Sequence, residues 1–289
     1  MLTQKEHKEK RVVALSSVAA AVFLTGTKLT IGILTGSLGI LSEALHSALD
    51  LVAAMMTFFA VKIAEKPPDD DHQFGHGKVE NLSAFMQTIL LLITCGWIVY
   101  EAFERLTGRN IAINVNFWSY LVVSLSIIID ISRSRALLRV AKKYNSQALE
   151  ADALHFSSDI LSSFVVLIGL VATQFKFMEA DSIAAMFVAI IVFIITFKLG
   201  KKAIDALLDK TPGILHIHIH DIVSSIPEVK YVHDLRVRTS GSVTFVDMNI
   251  HVNPNMTVGE AHQISDIIEF TIKEKYPNVM VHIHEEPHE

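Results

Sequence analysis

The sequence predicts a membrane-embedded bundle of six helices followed by a small soluble α+β domain. Three observations carry this reading. Of the 289 residues, 51% are apolar and only 19% are charged, where a soluble domain carries roughly 25%; mean hydropathy is +0.42. Long uncharged runs recur through the first 200 or so positions, while the last ~80 residues have an ordinary soluble composition. Lysine and arginine then alternate between the segments that join those runs. Such a chain is not one soluble globule, not disordered and not fibrous. A formal net charge of -5 excludes a generally basic nucleic-acid binder.

A hydrocarbon core needs about 20 helical residues to cross it. Val12 to Ser42 holds one charge, Lys28, and is interrupted by Gly32, Gly36 and Gly39. It is too long for one span, so two helices joined by a tight turn are expected. Ala44 to Val61 is apolar apart from His46 and Asp50; Asn81 to Tyr100, Ile111 to Ile129, Ile160 to Phe175 and Ser182 to Phe197 carry no charge. The expected spans are 12–34, 40–64, 81–103, 115–135, 153–174 and 181–203, within a transport domain at 11–208 after a short tail at 1–10. The apolar start continues past any plausible cleavage site, which disfavours a signal peptide. Segments on one side of this topology carry 15 basic residues and those on the other carry Arg105, Arg109 and Lys176. The excess marks the cytoplasmic side, where both termini are placed.

Ionisable side chains inside spans are costly and point to function. His46 and Asp50 on the second helix, and His155 and Asp159 on the fifth, share an i, i+4 spacing that puts each pair on one helix face. Two such faces turned together offer two imidazole nitrogens and two carboxylate oxygens, a set suited to Zn²⁺. With Cys95 the only cysteine, a thiolate site and copper(I) are disfavoured, and the set is too nitrogen-rich for Mg²⁺ or Ca²⁺. The bland alternative is that each pair is a polar helix–helix contact. For Asp130 the expectation is a pair with Arg133 or a place at the water interface. Lys28 is expected to snorkel or pair within the bundle, and Cys95 to be packing.

Between the second and third helices, Asp69, His72 and His76 lie close together among glycines. A second metal site and a solvated acidic loop both fit that spacing. After Lys210 the chain reads helix, strand, strand, helix, strand. A hairpin turns at Ser240-Gly241, and Thr257 with Glu260 forms a capping box for the second helix. The order suits a ferredoxin-like α+β sandwich at 209–289. Of 14 histidines, nine follow Lys210. His282, His284 and Glu286 alternate along the last strand and share a face; His233 and His251 come from the hairpin and His262 from the helix. Clustered metal ligands and scattered surface histidines are both open readings here. His216, His218 and His220 alternate like a strand within a segment that suits a helix. His288 is expected to be free.

Several of these strings resemble one family. Ser42-Glu43-Ala44-Leu45-His46-Ser47-Ala48-Leu49-Asp50, Phe74-Gly75-His76-Gly77-Lys78 and Glu150-Ala151-Asp152-Ala153-Leu154-His155-Phe156-Ser157-Ser158-Asp159 are similar to cation diffusion facilitators, as are His233-Asp234-Leu235-Arg236 and Glu260-Ala261-His262. The resemblance covers nearly the whole chain. It implies a six-helix transmembrane domain, a metallochaperone-like cytoplasmic domain, and a homodimer in the bilayer that exports a divalent cation in exchange for protons. It implies a transport site at His46, Asp50, His155 and Asp159, of the zinc-type branch, a loop site at Asp69, His72 and His76, and a dimer-interface site at His233, His262, His284 and Glu286. Zn²⁺ is then both substrate and regulatory ligand. Asn249 departs from the histidine often found at its position in bacterial relatives, and His251, two residues on, is expected to stand in. The absence of a His-rich insertion between the fourth and fifth helices resembles prokaryotic members, which places the chain in the cell's inner membrane. A membrane metallohydrolase is disfavoured because no His-Glu-x-x-His string occurs. A metal sensor without transport, and an iron or manganese exporter, are the competing readings.

Overall fold

The computed structural model of the protein describes residues 4–36, 38–106, 117–174 and 179–288. Arg109 and Lys176, counted above on the far side of the membrane, lie outside the described residues. Six long helices come first: α1 (Gln4–Thr35), α2 (Leu38–Ala64), α3 (Lys78–Leu106), α4 (Phe117–Tyr144), α5 (Gln147–Gln174) and α6 (Glu179–Leu207). Among the described residues three stretches, Gln4–Leu34, Ala44–Ala64 and Lys78–Tyr100, are long and apolar enough to cross a membrane. The observed helices overrun the expected spans, most of all at one end, where polar residues continue the helix beyond the apolar stretch. There α1 begins at Gln4 and α4 continues to Tyr144, and the extensions hold one another: Lys143 Nζ and the Tyr144 hydroxyl both donate to Glu9. The tight turn expected inside the first run falls at Gly36, whose φ of 64° suits glycine.

Helices pair as α1 with α2, α3 with α6, and α4 with α5. Alanines make the close approaches: Ala14, Ala60, Ala148 and Ala153 are buried with Leu149 and Phe156 in one cluster, as expected where helices meet within a membrane. Large apolar side chains such as Phe59, Trp97, Phe193 and Phe197 are exposed instead, a surface that lipid rather than water would satisfy.

The second part is α7 (Leu215–Ser224), β1 (Tyr231–Ser240), β2 (Val243–Val252), α8 (Val258–Lys275) and β3 (Val279–Pro287). The sheet order is β1-β2-β3, with β1 and β2 antiparallel and β2 and β3 parallel. This is the expected element order; the leading strand of a full β-α-β-β-α-β unit is absent among the described residues. Strand alternation sorts the side chains. Val246, Met248 and Ile250 join Ile219, Ile268 and Ile272 in the core, leaving Asp247, Asn249 and His251 on the opposite, open face. Thr257 and Glu260 form the expected capping box. His216, His218 and His220 sit on α7: His216 meets the Leu235 carbonyl, His218 the Tyr276 hydroxyl and His220 Ser224.

The two parts meet where the α2–α3 loop touches the β1–β2 turn. A Cβ on Gly77 would lie 2.4 Å from the Ser240 carbonyl oxygen, so only glycine fits. Lys78 pairs with Asp209 at 2.9 Å, and the Arg238 guanidinium lies over Phe74 and Phe245, 4.4 and 4.8 Å from the ring centroids.

Candidate metal centre

Helices α2 and α5 bring His46, Asp50, His155 and Asp159 together. The shorter contacts cross between helices. His155 Nε2 is 3.0 Å from Asp50 Oδ1 and His46 Nε2 is 3.5 Å from Asp159 Oδ1. Contacts within each helix are longer, 4.0 Å for His46–Asp50 and 3.8 Å for His155–Asp159. His46, Asp50 and Asp159 present ligand atoms all within 4.8 Å of one another. Asp50, His155 and Asp159 are buried, and the His46 side chain is 34% exposed, so the cluster has one accessible corner. His155 Nδ1 and Asp159 Oδ2 are buried without a hydrogen-bond partner. A four-coordinate zinc with bonds of ~2.0–2.2 Å spaces its donors ~3.3–3.6 Å apart, close to what the crossed contacts already provide.

Around this cluster lie charged groups that the sequence hinted at only singly. Lys28 of α1 is buried and donates to Ser47 Oγ at 2.8 Å, so it pairs within the bundle. Asp130 is buried and lies 3.7 Å from Arg133. Arg133 also donates to Ser17 Oγ at 2.7 Å, and Ser17 to Asp152 at 3.0 Å, while its guanidinium stacks on Phe156. At the polar end of the helices, buried Lys10 pairs with Glu80, which also accepts from Ser146. Sequence reasoning expected the Asp130–Arg133 pair but missed its extension to Ser17 and Asp152, and missed the Lys10–Glu80 network. Their signal was weak: Lys10 sits in a basic run that looks solvated, and Asp152 sits one turn from His155. Cys95 is buried packing beside Val165, Val188 and Val192.

In the α2–α3 loop, Asp69 bridges the two histidines. Its Oδ1 is 3.2 Å from His72 Nδ1 and its Oδ2 is 3.3 Å from His76 Nε2. The His72 backbone N–H donates to Asp69 Oδ1 at 2.7 Å. That bond, with the His72 ring as a second donor, holds the Asp69 carboxyl below its usual range against the small cost of burial.

On the open face of the sheet, His233 Nε2, His251 Nε2 and Glu286 Oε2 stand 3.2 Å from one another. Burial pushes the Glu286 carboxyl upward, but His233, His251 and His284 outweigh it and hold it low. His284 approaches the other Glu286 oxygen at 3.7 Å. His262, expected in this group, projects from α8 with its side chain 71% exposed and pairs with Asp266 at 3.8 Å; within one chain it does not join His233. His288, expected to be free, lies 3.5 Å from His251.

These clusters coincide with two family matches. The description "Cation efflux transmembrane domain" fits residues 14–208 and "Cation efflux protein, cytoplasmic domain" fits residues 211–288. The chain belongs to the cation diffusion facilitator family. It is therefore a membrane transporter of cations and not an enzyme. Among its relatives, the cation-efflux pump FieF of Yersinia pestis (strain Pestoides F) is 32% identical over 284 residues, covering 96% of this chain and 92% of that protein. FieF of Yersinia pseudotuberculosis serotype I (strain IP32953) matches to the same extent. A solved chain described as "a Putative Zinc Transporter CzrB (Zn form)" is 26% identical over 25% of this chain and 79% of that one, with a TM-score of 0.23. That score is too low to bear on the fold.

Proposed function

We propose that this cation diffusion facilitator exports Zn²⁺ from the cytoplasm in exchange for protons, as a homodimer with six spans per subunit and both termini cytoplasmic. The observation that carries the reading is the crossed set His46, Asp50, His155 and Asp159: two imidazoles and two carboxylates, largely buried, at donor spacings a tetrahedral dication accepts. Such donors bind metal only as neutral imidazole and ionised carboxylate, so loading displaces protons. When the bundle rocks to face the far side, higher proton activity there returns protons to the same side chains, and the cation leaves. Ligand and proton carrier are one set of atoms. The loop trio Asp69, His72 and His76, and the cluster of the cytoplasmic domain with His233, His251, His284 and Glu286, bind the same cation where it is abundant, drawing the domains together and coupling cytoplasmic load to transport.

Zinc is preferred because two imidazoles and two carboxylates match its habit, although the same donors accept cadmium, cobalt or iron, and geometry and supply decide among them. The test is flux in proteoliposomes with competing metals, repeated with the pH gradient collapsed. Parent protein should move Zn²⁺ only with the gradient, and His46→Ala and Asp159→Ala should not move it. Flux retained by those variants would end the assignment. Flux indifferent to the gradient would make the protein a channel, and absent flux with intact binding would make it a sensor.

A further inference from the structure

One buried acid beside the bundle site takes no part in gripping the cation. Asp152 is 0% exposed and sits on α5 one turn before His155, at a spacing that puts it on the helix face of His155 and Asp159. Its Oδ2 accepts from Ser17 Oγ at 3.0 Å, and Ser17 in turn accepts from Arg133 at 2.7 Å. Its Oδ1 is buried and makes no hydrogen bond. Buried carboxylate oxygens are ordinarily satisfied, so this one is open to a donor.

His155 has the complementary need. Its Nε2 faces Asp50 Oδ1 at 3.0 Å, while its Nδ1 is buried without a hydrogen-bond partner. A helical side chain leans toward the turn before it, which carries the His155 ring toward Asp152, and the two side chains are close enough to interact electrostatically. A neutral imidazole has a single N–H. Opposite the Asp50 carboxylate, that hydrogen belongs on Nε2. A cation held by Nε2 takes the lone pair there, so the hydrogen moves to Nδ1 and the ring stays neutral. A buried N–H without an acceptor opposes that state, and Asp152 Oδ1 is an acceptor one turn away. A carboxylate behind a metal-ligating histidine fixes the tautomer and direction of the ring. Phe156 adds a second constraint. Its ring stands edge-on to His155 with 5.8 Å between centroids, and the Arg133 guanidinium lies 3.5 Å from its centroid. Arg133 therefore steadies both the acid and the ring.

We propose that Asp152 is the positioning residue of His155: when a divalent cation occupies the bundle site, His155 Nδ1–H donates to Asp152 Oδ1, directly or across one water, and Nε2 is thereby committed to the cation. Ser17, backed by Arg133, holds Asp152 in place through its other oxygen. The proposal rests on the reading of His46, Asp50, His155 and Asp159 as the cation site. It brings α1 and α4, which supply no ligand, into the grip on the cation.

NMR of the full chain labelled with ¹⁵N-histidine, in detergent and loaded with Zn²⁺, tests it. The His155 resonances are those lost in His155→Asn. In the parent they should show Nε2 bound to the cation and a proton on Nδ1 that exchanges slowly with solvent. Asp152→Ala should make that proton exchange fast. It should also weaken the Zn²⁺ step that His155→Asn removes, followed by equilibrium dialysis, by about 10- to 100-fold, as removal of an outer partner does. Asp152→Asn keeps the shape and one acceptor oxygen, so it guards against simple unfolding and should produce both changes to a smaller degree. A purely structural acid would leave the Nδ1 proton as it is in the parent. Zn²⁺ on Nδ1 in the loaded parent, or proton exchange and affinity in Asp152→Asn equal to the parent's, overturns the proposal. The underlying reading fails separately: His155→Asn that binds as many ions as the parent shows that the bundle holds no cation at His155, whatever the Asp152 variants do.

Discussion

The cluster between α2 and α5 and the cluster on the open sheet use the same chemistry on opposite scaffolds. Both combine imidazole with carboxylate. In the bundle the donors come from two helices, sit largely in the protein interior, and are paired crosswise at 3.0 and 3.5 Å. On the sheet they come from three adjacent strands, are half-exposed, and stand in an even 3.2 Å triangle. A sheet fixes its donors through backbone hydrogen bonds, so the triangle is rigid. A helix pair fixes them only through packing, so they separate when the helices move. On the proposed function, the helix pair carries the site that releases its cation and the sheet carries the site that reports a level.

The sharpest way to break this contrast is to remove a ligand from each. Asp50→Ala should abolish vesicle flux, whereas Glu286→Ala should leave flux measurable and change only its dependence on cytoplasmic Zn²⁺. Equal loss from both would erase the distinction. Next in size is the support beneath the bundle site. Arg133→Leu strands Asp130 and Asp152 as buried acids; breaking a buried pair costs about 3–5 kcal/mol, which thermal unfolding in detergent would register as a large drop. Gly77→Ala forces a Cβ against the Ser240 carbonyl and should cost about 1–3 kcal/mol, visible as faster proteolysis of the α2–α3 loop, with little change in the bundle. Thr257→Ala removes the cap of α8 and should cost ~1 kcal/mol, confined to unfolding of the tail.

The smallest effect is that of acid on the folded tail. Glu286 titrates below its ordinary 4.5, so it stabilises the fold fully above that value and the contribution disappears as pH falls through the lowered one. Asp69, below its ordinary 3.8, behaves alike in the loop. The acid-induced loss of the tail in metal-free protein, followed by limited proteolysis, should therefore begin only below about pH 4.5; loss of the tail at higher pH would show that these two acids do not set it.

The sequence made the helices, the strand order and the four bundle residues legible, because hydropathic runs, alternation and i, i+4 spacing are all local signals. The supporting networks were not, since Lys10 with Glu80 and Arg133 with Asp152 are joined only by tertiary packing. The tail shows the same boundary. Strand alternation put His282, His284 and Glu286 on one face and left His233 and His251 in the hairpin, but only the register of three strands brings His233, His251 and Glu286 together and sets His288 beside His251, while His262 stays apart on α8. The helical state of His216, His218 and His220 overrode an alternation that read as a strand, because Ile219 and Val223 are buried at helical spacing.

The crosswise pairing in the bundle makes four side chains a clasp as well as a cradle. Each imidazole leans on the acid of the neighbouring helix, so a slip of one helix along the other by a single turn, about 5.4 Å, would part both couples together. A substitution at any of these four positions therefore alters the relative height of α2 and α5 as well as the spacing of the donors.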